Sequence, residues 1–363
     1  MNLQPTSVEE LQHIVKSEQN LVPRGSGSKP TLSMPQDGQL SLDLSALTGI
    51  IEYDPDEYTF TAYAGTPLSD IENALAEYGQ YLPFDPMLVK RGATLGGTVA
   101  ANLSGSGRYR YGGVRDFILG VRFVDGRGQL VSGGGKVVKN SAGFDIPKFM
   151  VGSLGRYGIF TTFSFKVFPQ PKTYVTLKAI YVDLDQALQA IFCLAPTPFE
   201  MDALDLEPAT PDQWSLLIRL GGLPDALPNR LDRLQDFLQS QTDVQTVDTL
   251  VDQADTDLWD SINAASWVEE GENLIKIPLA PKQIPALEQQ TVSAKCRYST
   301  GGGIAWVATK SDVKLDQTLT DLGLVGLQLF GIGEPYLGQR KGLALMQRVK
   351  NALDPEETFT PNL

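Results

Sequence analysis

The chain is poor in the side chains that much enzyme chemistry relies on. It has one histidine, His13, in 363 residues. A three-histidine or two-histidine-one-carboxylate metal centre cannot be built from that supply. A Ser-His-Asp triad would have to use His13, in a polar N-terminal segment. Two cysteines, Cys193 and Cys296, offer neither a disulfide framework nor zinc spacing and fit a reducing compartment. No run of about 18 uncharged apolar residues exists, so no membrane-crossing helix is expected. The opening MNLQPTSVEEL lacks a basic region followed by an apolar run, so no signal peptide is expected either.

Glycine is abundant, and its placement carries information. The chain has 35 glycines, roughly 10% against an average near 7%. Seventeen fall between Gly92 and Gly158. Charge is just as uneven. Residues 87–172 hold 13 Lys and Arg against three Asp, a balance of +10, within a chain of net charge −13, so the remainder carries −23. A basic, glycine-rich stretch suits a bound anion such as a phosphate; a solvated basic face gives the same count. Nucleic acid is disfavoured, because the acidic remainder would repel a polyanion.

Hydrophobic residues make up 42% of the chain, enough for real cores, and the length fits roughly two domains. Ser7 and Glu10 have capping-box spacing, ahead of an amphipathic helix over 6–18. Strands are expected at 20–23, on either side of a turn within 40–53, and at 58–64. A helix is expected from Pro67 to Tyr78, a small one over 95–104, a hairpin over 117–132, a turn of helix at 147–153 and a strand over 158–168. Pro169-Gln-Pro-Lys172 reads as a boundary. Strands and helices then alternate, with strands at 173–182, 200–206, 214–221, 273–278, 295–308 and 325–332. Helices are expected at 185–194, 224–240, 255–265, 281–291 and 338–353. Several close strand pairs indicate an α+β second domain.

Four glycine-rich turns carry the chemistry. Arg24-Gly25-Ser26-Gly27-Ser28-Lys29 follows a strand, where small residues let backbone N–H groups converge on an anion. The segment is neither a P-loop nor a Rossmann fingerprint. Alone it also reads as a flexible turn. LVPRGS matches a thrombin linker too, although a capped helix precedes it and no His-tag accompanies it. Thr94-Leu95-Gly96-Gly97-Thr98 opens a small helix that Ser104-Gly105 closes; glycines there allow close ligand approach or close helix packing. Gly112, Arg115 and Asp116 precede a strand, where Arg115 and Asp116 could equally form a structural pair. Gly155 and Gly158-Ile159 turn into another strand. Four such turns imply one long ligand, and a dinucleotide fits better than a mononucleotide.

Three stretches carry a family resemblance: RGSGSK, GATLGGTVAANLSGSGRYRYGGVRDFILGVRFVDGRG and KNSAGFDIPKFMVGSLGRYGIFTTFSFKV. They resemble the FAD-binding domain of the vanillyl-alcohol-oxidase/PCMH flavoprotein superfamily. Within it, they are similar to the FAD-binding E-subunit family of bacterial glycolate oxidases. The ending KNALDPEETFTPN resembles the family's K-x-x-x-D-P-x-x-x-F-N-P tail, with Thr360 where Asn is usual. The resemblance implies an α+β, PCMH-type FAD-binding domain of two subdomains over 1–172, completed by 330–363. An α+β cap spans 173–329, inserted before the tail. Carried over, Arg24–Lys29 surround the pyrophosphate. Thr94–Thr98 and Ser104-Gly105 hold pyrophosphate, ribityl and flavin, and Gly112, Arg115, Asp116 and the Gly155–Ile159 turn complete the site. Ser26 stands where glycine is commoner, and its Cβ restricts positive φ.

Many members of the superfamily attach FAD through histidine or cysteine, and residues 20–172 contain neither. Noncovalent FAD and no metal are therefore expected. The cap's Tyr298, Trp306 and Gln328 are candidates for substrate contact, each more simply read as structural, so no catalytic residue is assigned. The implied activity is FAD-dependent oxidation of a 2-hydroxy acid, glycolate to glyoxylate, within a complex containing a flavin D-type and an iron–sulfur F-type subunit. The implied location is cytoplasmic, with a membrane position open through those partners. Two other readings stand: a self-sufficient FAD oxidoreductase for another hydroxy acid or sugar alcohol, and an interaction subunit that keeps the fold without catalysis.

Overall fold

The computed structural model describes residues 2–135, 144–310 and 314–359. The chain forms two compact units. One gathers residues up to 104, 112–170 and from 341 onward; the other gathers Gly105–Tyr111 and Pro171–Arg340. The tail therefore joins the first unit from residue 341 rather than 330. The reason is strand Tyr336–Gly338, which pairs with Val325–Phe330 in the second unit's sheet. The final helix likewise starts later than expected, at Leu343, after Gly342 with φ +77.

The first unit holds two principal sheets. A parallel three-stranded sheet orders Asn2–Leu3, Leu40–Asp43 and Leu21–Arg24. An antiparallel five-stranded sheet orders Ile50–Asp54, Thr59–Tyr63, Ile159–Lys166, Ile118–Val124 and Leu130–Gly134. Leu40–Asp43 and Ile50–Asp54 flank a turn but do not pair; each joins a different sheet. Helix Val8–Ser17 is capped by Ser7, whose Oγ accepts the Glu10 N–H at 3.1 Å. The Glu10 carboxylate accepts from the Thr6 N–H and hydroxyl at 2.7 and 2.8 Å, and the backbone of Ser7 adds to these in holding it ionised. The helix buries Leu11 and Val15 in a cluster with Leu21, Leu42, Ile159 and Phe359. Each such side chain contributes roughly 1.5–3 kcal/mol on burial.

Phe359 comes from the tail, and the Lys350–Asp354 spacing holds it there. One helical turn apart, the two side chains meet at 2.6 Å. The Lys350 Nζ also donates to the carbonyls of Arg156 at 3.1 Å and Phe359 at 2.8 Å. Asp354 accepts the N–H groups of Thr358 and Phe359 at 2.8 and 3.0 Å. All three ammonium protons and both carboxylate oxygens of this buried pair are thus engaged, the condition under which a buried ion pair is tolerable. Thr360 and residues 139–143 lie outside the described residues.

The second unit is built on one antiparallel nine-stranded sheet. Its order is Thr246–Val251, Thr173–Tyr181, Gln213–Gly222, Ala203–Thr210, Lys295–Ser299, Ile304–Thr309, Asn273–Pro278, Val325–Phe330 and Tyr336–Gly338. Helices Leu184–Leu194, Leu227–Gln241, Ile284–Gln290 and Leu315–Asp321 cover one face, over Leu177, Ile218, Ile275 and Val307. Helix Asp252–Asn263 packs Trp259 and Ile262 against Ala203 and Leu217. The α+β architecture expected from the sequence is the one observed. Strands Thr246–Val251 and Tyr336–Gly338 and helix Leu315–Asp321 add to it.

Candidate functional site

The parallel sheet of the first unit delivers strand Leu21–Arg24 into the loop Gly25–Lys29. That loop, the start of helix Leu95–Ala100 and the turn 154–160 line one concave pocket. Its walls include Arg24, Gly25, Ser26, Gly27, Ser28, Lys29, Thr94, Gly96, Gly97, Gly155, Gly158 and Ile159. Segments over a hundred residues apart in sequence thus converge on one space. Its two charged side chains, Arg24 and Lys29, are both cationic.

The glycines are required by close approach. A Cβ on Gly25 would lie 2.4 Å from the Thr94 Oγ1, and one on Gly155 2.4 Å from the Pro23 Cγ. On Gly96 it would lie 2.8 Å from the Ala64 carbonyl oxygen. Gly27 differs: nothing lies within 4 Å, but its φ is +78. The left-handed turn of the loop therefore falls on Gly27, and Ser26, outside that region, is compatible with it. Thr94 caps the following helix, its Oγ1 accepting the Gly97 N–H at 3.3 Å.

The polar groups of the cavity are short of partners. Lys29 is 6% exposed, and its Nζ donates to the Ser28 Oγ at 3.0 Å. It makes no ion pair among the described residues, and burial pushes its ammonium down to about 8. The Arg24 Nε is buried without a hydrogen-bond partner among the described residues. A buried cation without a counter-ion is costly, and an anion seated in the glycine loop would relieve both groups. A dinucleotide diphosphate is such an anion.

Other expected site residues lie elsewhere. Leu95 and Thr98 are fully buried and do not line the cavity. The Ser104 Oγ accepts the Val114 N–H at 2.9 Å, and Asp116 accepts the Gly113 N–H at 2.8 Å. These bonds fix the turn into helix Val114–Phe117, where Gly112 has φ +88 and Arg115 is exposed. Gly105 opens the segment grouped with the second unit. Sequence reasoning missed Ala64, Ala100, Ala101, Leu154 and Phe160 as cavity walls. The pair Ala100-Ala101, one turn below the glycines, was the available sign of a close-packed wall.

In the second unit, the Tyr298 hydroxyl donates to Glu288 at 2.5 Å inside the helix-covered core. The Trp306 Nε1 donates to the Ser299 Oγ at 2.9 Å. Gln328 is 2% exposed with its Nε2 unpartnered among the described residues. Two ionisable groups went unnoticed in the sequence. Burial raises the Asp205 carboxyl to about 7 even though Ser106 donates to it at 2.5 Å. Burial, with Arg108 adding to it, lowers the Lys276 ammonium to about 7. Arg297, Trp306 and Lys276 stand directly opposite one another on three adjacent strands. No cluster of His, Cys, Asp and Glu able to hold a metal occurs among the described residues. His13 lies exposed on helix Val8–Ser17.

Residues 2–134 match the family described as "FAD binding domain". The match falls largely within the first unit, includes the loop Gly25–Lys29 and the glycines Gly96 and Gly97, and points to FAD as the cofactor. Among relatives, the chain is 42% identical to glycolate oxidase subunit GlcE of Escherichia coli over 193 residues, 53% of this chain and 55% of that protein. It is 35% identical to glycolate oxidase subunit GlcD of Bacillus subtilis over 47% of this chain and 36% of that protein. The aligned stretch therefore spans little more than half the length of the first relative and about a third of the second. The fold matches that of alkyldihydroxyacetonephosphate synthase with a TM-score of 0.70 and 17% identity, covering 98% of this chain and 76% of that one. Among the described residues, no helix is long and apolar enough to cross a membrane.

Proposed function

We propose that this chain is the FAD-holding subunit of a multi-subunit oxidase of 2-hydroxy acids, glycolate being the first candidate. The carrying observation is the glycine-walled cavity with two unneutralised cations, set in an FAD-binding domain. Bound FAD supplies the capacity to take electrons from a C–H bond next to a hydroxyl. The residues Arg24–Lys29 bind the diphosphate, and Thr94, Gly96 and Gly97 hold the chain running from it. The Gly155–Ile159 turn closes the far wall. FAD is held noncovalently, since no cysteine or histidine lies between residues 20 and 172. Ser104, Gly105, Gly112, Arg115 and Asp116 keep a supporting role, fixing the turn beside the site. The domain extends over about 1–170 plus the tail, with the second unit as cap.

The partnership rests on two points. The two relatives GlcE and GlcD are each a glycolate oxidase subunit, and the one histidine of this chain, His13, lies exposed on helix Val8–Ser17, so a histidine base at a substrate would come from elsewhere. A second flavin-carrying subunit and an iron–sulfur subunit are the partners we expect, and any membrane attachment would run through them. A self-sufficient oxidoreductase is the second reading, favoured by the buried Asp205 and Lys276, whose ionisation is displaced toward neutrality. Anaerobic spectra decide between them. The isolated holo-chain should keep its oxidised flavin absorbance when glycolate is added and lose it when the partner subunits are present. Rapid bleaching of the isolated chain by glycolate, or by one member of a hydroxy-acid and sugar-alcohol panel, would establish the second reading.

A further inference from the structure

The second charge in the cavity has a consequence beyond holding a cofactor, and it rests on the reading above. Lys29 lies at the end of the loop, 6% exposed, with Ser28 as its hydrogen-bond acceptor. Its Nζ is 3.3 Å from where a Cβ on Gly97 would stand, so it faces the opening of helix Leu95–Ala100 across the glycine floor. The charged groups on the surrounding elements are few. Arg24 ends the preceding strand and lines the same cavity. Asp43 is opposite Arg24 on the neighbouring strand, where its carboxylate accepts the Ser45 N–H at 3.0 Å. Arg156, in the turn 154–160, donates from its Nε to the Ser153 carbonyl at 3.0 Å. Helix Leu95–Ala100 carries no charged residue. Among the described residues no carboxylate lines the cavity, so the counter-ion for Lys29 is expected to come with the ligand.

We propose that Lys29 is the switchable charge of a diphosphate site: the site binds ADP as well as the whole dinucleotide, and in alkaline solution it takes up one proton on binding. In the free chain burial leaves Lys29 losing its proton near pH 8. A diphosphate beside the ammonium favours the charged form and raises that value again. Above about pH 8 the free site is then largely uncharged, and each ligand bound must bring in a proton. Below about pH 7 no proton moves. Affinity should therefore fall about tenfold between roughly pH 7 and pH 9, the slope of a one-proton linkage. Arginine at this position stays charged throughout, because a guanidinium keeps its proton in proteins.

The test is calorimetric titration of the deflavinated full chain with FAD, ADP and adenosine across that pH range. Two buffers of different ionisation enthalpy count the protons. The proposal expects the tenfold fall for FAD with one proton taken up near pH 9, ADP binding with the same uptake, and no adenosine binding of comparable strength. Lys29→Arg should bind FAD with a flat pH profile. Lys29→Met should bind at least tenfold more weakly at about pH 7, also flat. Circular dichroism checks that each variant is folded, and the arginine variant alone decides if the methionine one is not. An FAD affinity independent of pH in the native chain, or an arginine variant with the native slope, would overturn the proposal while leaving FAD binding intact. Failure to bind FAD at any pH would instead overturn the functional reading itself.

Discussion

Gly25→Ala is the sharpest perturbation of the cofactor cavity. The new Cβ would stand 2.4 Å from the Thr94 Oγ1, 3.0 Å from its Cγ2 and 3.2 Å from its Cβ. Thr94 cannot easily yield: it is 4% exposed, and its hydroxyl caps helix Leu95–Ala100 through the Gly97 N–H. Overpacking of this kind costs about 1–3 kcal/mol, roughly a 5- to 150-fold loss if it falls on cofactor affinity. Thr94→Ala alone loses the cap, about 1 kcal/mol. Combined with Gly25→Ala it removes the two clashing atoms, leaving only the 3.2 Å contact. The double variant should therefore be better than the sum of the singles by about 1 kcal/mol or more, within the range for side chains in contact. Gly27→Ala is the control. Nothing lies within 4 Å of its Cβ, but its φ of +78 makes any side chain strained, at about 1–2 kcal/mol. Its cost should add to that of Thr94→Ala within about 0.5 kcal/mol. Urea unfolding and FAD titration of the five variants supply both cycles. Additive behaviour of Gly25→Ala with Thr94→Ala would refute the geometry.

Three further outcomes follow from other sites. Asp354→Asn leaves the Lys350 ammonium buried beside two carbonyls without its carboxylate, and should destabilise the first unit by about 3–5 kcal/mol, read as a lowered denaturant midpoint. Asp205 has a folded-state ionisation raised to about 7 from the ordinary carboxylate range. Its contribution to stability is complete below about pH 4 and is lost as pH rises toward 7, by at most roughly 4 kcal/mol. Asp205→Asn should then raise the Tm at about pH 8 and leave it nearly unchanged at about pH 4; equal shifts at both would contradict the burial argument. Acid precipitation of the holo-chain should leave colourless protein and a yellow supernatant; flavin retained in the pellet would mean a covalent bond.

Much of the first unit was legible because its signals are local. The Ser7 cap, Pro67 with Gly79 around helix Leu68–Ala76, and the Asp125-Gly126 turn between Ile118–Val124 and Leu130–Gly134 are each written in a few adjacent residues. The loop Arg24–Lys29 was legible for the same reason. Long-range pairing was not. Leu40–Asp43 and Ile50–Asp54 look like one hairpin, and only their distant partners send them to separate sheets. The edge strand Thr246–Val251 was missed because most of its side chains face solvent, so no alternation marks it. The Ser104 and Asp116 roles could not be read from spacing, because short polar side chains serve ligand and backbone alike; here they bond Val114 and Gly113. Asp205 and Lys276 gave no sequence signal, since their displaced ionisation comes from burial on a strand face formed by residues from across the chain.

The central claim is that the cavity between Gly25–Lys29, Thr94–Gly97 and Gly155–Ile159 is an FAD site. It is tested most directly by the absorbance spectrum and flavin stoichiometry of the purified chain, before and after FAD is added and the excess removed. The account predicts one FAD per chain with the banded spectrum of a protein-bound flavin, and a clear loss of that FAD in Gly25→Ala. A native chain that stays colourless after FAD is supplied, or a Gly25→Ala variant with undiminished affinity, would contradict it.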